Sequence, residues 1–133
     1  VYSEPHINKN FNFMIEIILY TLLLYFFQLF LPITLKSKMP EGMFERSRRA
    51  TENLKESLPI FLALAILSII VDAQTNIAIA LSWLSLRVIF AAIYISGFNL
   101  KPANASGQRA QPLRSLVWTL SVVSLFMMGA NLI

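Results

Sequence analysis

The sequence predicts an all-α integral membrane protein, an antiparallel bundle of four transmembrane helices. Three observations predict it. Hydrophobic residues make up 56% of the 133 residues and charged residues only 14%, whereas soluble domains carry about 25% charged residues. The apolar residues gather into four long segments with polar connections between them. The basic residues gather in alternate connections, as short cytoplasmic loops do. A chain of this length has room for a single membrane domain, 1–133.

The elements follow in order. The opening VYSEPHINKN is polar and lacks the basic start, apolar core and small-residue cleavage site of a signal peptide. The first segment, 13–34, rises about 33 Å, enough for the hydrocarbon layer. Pro32 ends or kinks it. The next apolar run, 58–71, has 14 residues and is too short to span alone. Nothing in RSRRATENLKES breaks a helix, so the second helix is predicted over 45–71, its charged first turns included. Pro59 is a tolerated kink within it. A tight polar turn at 72–76 leads to a third helix over 77–98. The stretch NLKPANASGQRAQP, with two prolines and a glycine, is a loop, and a fourth helix covers 113–133. Asn104-Ala105-Ser106 is formally a glycosylation sequon. The topology makes it a chance match, because it lies on the cytoplasmic side.

Lys36, Lys38, Arg46, Arg48, Arg49 and Lys55 follow the first segment, and Lys101, Arg109 and Arg114 flank the last loop. The N-terminal tail has only Lys9 and the middle turn has no lysine or arginine. The first and third connections are therefore expected in the cytoplasm and both termini outside. The net charge of +4 is then a matter of loops and anionic lipid headgroups, with no nucleic-acid partner expected. The chain has no cysteine, which excludes disulfides, thiolate metal sites and a protein thiol nucleophile. The single histidine, His6, lies in the polar tail. No metal site is expected.

The helical period sorts the charges of the second helix. Arg46, Arg49, Asn53 and Glu56 stand at spacings of three, four and three, and so form one stripe. Glu45, Arg48 and Glu52 lie off it and are expected to face water. Arg87 stands halfway along the third helix, Tyr94 two turns on, and Arg114 at the start of the fourth. An arginine at membrane depth needs a carboxylate, a carbonyl or water. Arg87 with Glu56 is the expected buried pair, and the remaining arginines are expected to form an electropositive pocket at the cytoplasmic interface. Plainer roles exist for the same residues. Arg46, Arg48 and Lys55 suit snorkelling, Arg114 a topology anchor, Tyr94 and Trp118 an aromatic belt, and Asn53 a helix contact.

These residues resemble the MAPEG superfamily, the membrane-associated proteins in eicosanoid and glutathione metabolism. Glu45-Arg46, Arg49-Ala50, Asn53 and Glu56, followed by Pro59 and Phe61, are similar to the family's pattern at the start of its second helix. Arg87 and Tyr94 match its third-helix arginine and tyrosine, and Pro112, Arg114 and Ser115 the start of its fourth helix. RSLVW at 114–118 looks like bacterial members, which implies a bacterial inner membrane with periplasmic termini. The resemblance implies a homotrimer with glutathione curled between subunits near the cytoplasmic face. Arg46, Arg49, Asn53, Glu56 and Tyr94 would hold the tripeptide and Arg87 the floor of the pocket. Arg114 would be the catalytic residue, near the sulfur and favouring thiolate. The expected chemistry is attack of that thiolate on a lipophilic electrophile or hydroperoxide arriving through the lipid.

The sequence also departs from the family pattern. Trp118 stands where some eicosanoid-processing members have an aromatic hydroxyl, Thr51 where some have histidine, and Phe90 occupies the place one turn after Arg87. These changes argue against a prostaglandin or leukotriene synthase. The first helix offers no mid-membrane arginine, only Lys36 and Lys38 near its end. The last loop is longer than the family's tight connection and could cover the pocket or bind something else. Two other function classes stand beside the enzyme. A non-catalytic binding or scaffold protein would keep the bundle and the pocket without turnover. A small proton-coupled exporter would use Glu16, but that reading leaves the Arg49-Asn53-Glu56 stripe without a purpose.

Overall fold

The computed structural model describes residues 5–106 and 109–133, with side chains from residue 11 onward in the first helix. His6 and Lys9, which entered the metal and topology readings, lie outside the described side chains. The chain forms α1 (Pro5–Leu35), a short 3-10 turn (Lys36–Lys38), α2 (Met43–Ile70), α3 (Thr75–Ser96) and α4 (Pro112–Ala130). All four α-helices contain stretches long and apolar enough to cross a membrane. The protein is an all-helical integral membrane protein.

The helices differ from the expected ranges at their ends. α1 is helical from Pro5 onward among the described residues, eight residues before the apolar segment. Polar residues do not stop a helix. α2 starts at Met43, after Gly42 in the left-handed conformation at φ 84°. α3 runs from Thr75 to Ser96. It stops earlier than expected because Gly97 at φ 78° caps it, its N–H donating to the Ile93 and Tyr94 carbonyls. That is the usual glycine cap of a helix C-terminus. α4 ends at Ala130.

Cross-helix bonds show the antiparallel order. The start of α2 meets the end of α3 through Arg46 and Ile95. The start of α3 meets the end of α4 through Asn76, which donates to the Met128 carbonyl at 3.1 Å and to Ser68 Oγ at 2.8 Å and accepts from Asn131 at 2.9 Å. Interhelical bonds of this kind in membranes contribute about 0.6 kcal/mol each. α4 packs chiefly on α3, α2 packs on α1 and α3, and α2 meets α4 more lightly. That light contact leaves a groove between α2 and α4.

The core is built on large apolar side chains with alanines between them. Phe61 and Trp83 stack with centroids 4.1 Å apart, surrounded by Met14, Ile17, Leu54, Ala65 and Met128. The outer faces carry Leu23, Phe27, Phe30, Ile33, Ile70 and Phe126, all well exposed. Such continuous apolar surface is the face of a protein that meets lipid.

One proline explains a polar contact deep in the bundle. Pro32 has no N–H, so the Gln28 carbonyl four residues earlier loses its helical donor. Thr51 Oγ of α2 donates to that carbonyl at 2.9 Å. Thr51 thus joins α1 to α2 in the interior, 6% exposed.

Candidate functional site

The ends of α2, α3 and α4 on the expected cytoplasmic side enclose a cavity of about 760 Å³. Arg46, Arg49, Tyr94, Arg109 and Arg114 line it together with Glu45 and Gln111. It is built from three backbone ends. α2 contributes its first two turns, α3 its last, and α4 its first, so the charged residues sit where helices leave the hydrocarbon.

Each side chain is held differently. Glu45 accepts from Arg48 at 2.6 Å and from Arg49 Nε at 3.2 Å, while Arg48 also donates to Glu52 at 3.1 Å. Arg48 and Glu52 are exposed, as expected from their place off the stripe, and Glu45 is half-buried at the cavity rim. Arg46 is half-buried, and its Nε donates to the Ile95 carbonyl at 3.3 Å. It lies between two left-handed glycines. A Cβ on Gly42 would come within 2.9 Å of Arg46 Nη1, and one on Gly97 within 3.1 Å of Nη2. Arg46 therefore fastens α2 to the end of α3 as well as lining the cavity. Gly97→Ala is expected to cost about 1–2 kcal/mol from the left-handed backbone alone, and to displace Arg46. Unfolding of the purified variant in bicelles checks this, and an unchanged midpoint would refute it.

Arg114 lies over the Tyr94 ring, 4.5 Å from its centroid. Tyr94 meets Phe90 edge-on at 5.5 Å and 81°. Arg87 lies 4.5 Å over Phe90, and its Nη2 donates to Asn53 Oδ1 at 2.7 Å. The result is a column, Arg114–Tyr94–Phe90–Arg87–Asn53, from the cavity into the bundle. Cation–π seating of this kind fixes a guanidinium without neutralising it.

The expected site residues thus fall into two adjoining places. Arg46, Arg49, Tyr94 and Arg114 share the basic cavity. Asn53, Glu56 and Arg87 instead line the groove between α2 and α4, about 810 Å³, whose other walls include Ile60, Leu64, Trp118 and Phe126. One helical turn separates the two places on both helices, since Asn53 follows Arg49 and Trp118 follows Arg114 by four residues.

The expected Arg87–Glu56 ion pair is not formed. Glu56 is exposed in the groove and makes no ion pair among the described residues. Arg87 is 2% exposed and takes Asn53, one turn nearer the start of α2. A neutral amide satisfies a buried guanidinium without a second buried charge to desolvate. Arg87 Nε has no hydrogen-bond partner among the described residues. Glu16, the carboxylate of the exporter reading, is exposed on α1.

Two cavity residues come from the α3–α4 connection. Arg109 reaches the cavity from the α3–α4 loop, its Nε donating to the Lys101 carbonyl at 3.0 Å. Gln111 is 1% exposed and its Nε2 donates to the Ile93 and Phe98 carbonyls, both at 2.8 Å. Asn99, at φ 64°, accepts from the Leu113 N–H at 3.2 Å and caps α4. Arg109 was visible in sequence only as a loop charge. The available signal was the loop's unusual length.

No curated protein and no solved structure matches the chain significantly. The family model described as MAPEG family matches residues 17–133, nearly the whole chain. With four apolar helices and this match over nearly its whole length, the chain belongs to the MAPEG family.

Proposed function

We propose that the protein is a glutathione-dependent membrane transferase or peroxidase, acting on a lipophilic electrophile or hydroperoxide. Family membership supports a glutathione-related membrane transferase, peroxidase or related activity. The observation that carries the specific reading is the basic cavity. Four guanidinia line it, and its one carboxylate, Glu45, is already shared by Arg48 and Arg49.

Those residues fit glutathione, which has two carboxylates, an ammonium and a thiol. Planar guanidinium forks suit carboxylates, and Glu56, which has no ion pair among the described residues, suits the ammonium. When bound, glutathione supplies the nucleophilic sulfur. Arg114, held over Tyr94, places an unneutralised charge where it stabilises a thiolate. Arg49, Arg46 and Tyr94 orient the tripeptide. Arg87 and Asn53 hold the floor one turn deeper. The groove between α2 and α4 adjoins the cavity and is walled mostly by apolar side chains, which suits entry of a lipophilic substrate from the lipid. In this reading residues 1–133 work as one membrane domain and three copies form the complete sites. The cavity faces the cytoplasm of a bacterial cell, and the termini face the periplasm.

The test is glutathione binding to the purified protein in nanodiscs, read by the ultraviolet thiolate band. A saturable band at neutral pH is the expected result. Binding without a band would favour the non-catalytic scaffold. No binding at about millimolar glutathione would sink the glutathione reading.

A further inference from the structure

Resting on the glutathione reading, we infer that Arg109 is a second anion clamp, presented by the α3–α4 loop to one carboxylate of the bound thiol. It is a specificity-determining residue that the α2 stripe does not include.

The loop is built to present it. The Lys101 N–H donates to the Ala110 carbonyl at 2.7 Å, and Arg109 Nε donates back to the Lys101 carbonyl at 3.0 Å. These two bonds close the strap at its base. Gln111 ties that base to the end of α3 with two bonds, and Asn99 ties it to the start of α4. With Nε committed to a carbonyl, the terminal amino groups of Arg109 have no protein partner among the described residues. They belong to a side chain that lines the cavity.

Charge balance points the same way. The described part of the loop, 99–106 and 109–111, contains no acid. Glu45 is engaged by Arg48 and Arg49. Neither Arg109 nor Arg114 has a carboxylate partner among the described residues. Arg46, seated between Gly42 and Gly97, has only the Ile95 carbonyl as a partner among the described residues, so three guanidinia without a carboxylate partner on one cavity call for anionic groups from a ligand. Arg114 sits over Tyr94, one helical turn before Trp118 of the apolar groove, the place suited to the sulfur. Arg109, on the strap, is left for a carboxylate at an end of the tripeptide. A thiol that keeps that carboxylate engages both arginines, and one that lacks it engages Arg114 alone.

The experiment measures dissociation constants for glutathione and for each of its two monoethyl esters, glycyl and glutamyl. It uses the full-length protein in nanodiscs and its Arg109→Gln and Arg109→Lys variants. In the unsubstituted protein each ester is expected to bind about tenfold more weakly than glutathione, the loss of one charge-assisted contact. Arg109→Gln is expected to weaken glutathione about tenfold and to close the gap for one of the two esters, leaving the other open. Arg109→Lys should restore part of that gap. The inference is overturned if both gaps survive in Arg109→Gln, or if glutathione and both esters weaken equally, which marks a purely structural loop. Failure of the unsubstituted protein to bind glutathione overturns the glutathione reading itself, and the inference with it.

Discussion

Replacing Arg114 with alanine is expected to lower glutathione-dependent turnover at neutral pH by about a hundredfold or more, the scale of losing one charge-stabilising donor. A free thiol titrates near about 8.5 and is mostly protonated at pH 7. Each unit by which a guanidinium lowers that value is worth about 1.4 kcal/mol. Arg114 can supply this because it rests on the Tyr94 ring and has no carboxylate partner among the described residues. The sign of the pH dependence follows. With Arg114 present, the thiolate forms below its free pKa and turnover is already high at neutral pH. Without it, turnover should climb as pH rises toward 8.5, and the gap should narrow above it. Arg114→Lys keeps a charge but not the planar seat on Tyr94, and should fall between. The fold should survive, since Arg114 is half-buried and makes no hydrogen bond to another residue among those described. Rate against pH for the three proteins decides the matter. An alanine variant within threefold of the parent at pH 7 would refute the role.

The residues differ in how far their roles could be read from sequence. The four helices were legible because apolar length is set by the hydrocarbon layer, and the charged start of α2 because nothing in it breaks a helix. The stripe correctly grouped Arg46 and Arg49, which share the cavity. Periodicity gives the face of one helix, though, and not the height at which a neighbour meets it. A shift of one turn, about 5.4 Å, exchanges Glu56 for Asn53 as the partner of Arg87. Loops carry no period at all, so Arg109 counted only toward topology until the strap placed it. Phe90 read as a departure from the family pattern, yet it carries Arg87 on its face and Tyr94 against its edge. The Thr51 contact was legible in principle, since Pro32 had to orphan the Gln28 carbonyl.

Removing the partner of Arg87 is expected to be the most damaging change to the fold. Asn53→Leu leaves a guanidinium that is 2% exposed without its 2.7 Å acceptor. Breaking a buried charged contact from one side typically costs about 3–5 kcal/mol. Asn53 is a neutral partner and the Phe90 ring stays in place, so about 3 kcal/mol is expected here. The size follows from what the arginine cannot do. Its Nε already lacks a hydrogen-bond partner among the described residues, and Glu56, the nearest acid along the stripe, faces the groove. The double variant Asn53→Leu with Arg87→Met removes the charge together with its acceptor and should recover most of the loss, because an apolar pair of similar volume carries no desolvation penalty. Unfolding of the parent, both single variants and the double variant in bicelles gives the coupling directly. A single Asn53→Leu cost below about 0.5 kcal/mol, or a double variant no more stable than Asn53→Leu alone, would show that groove water or lipid, and not Asn53, satisfies the arginine. If the coupling is as large as expected, Asn53 is committed through its carbonyl oxygen to the floor of the site. Its amide N–H groups are then the donors left to meet a ligand, which favours an acceptor at Asn53.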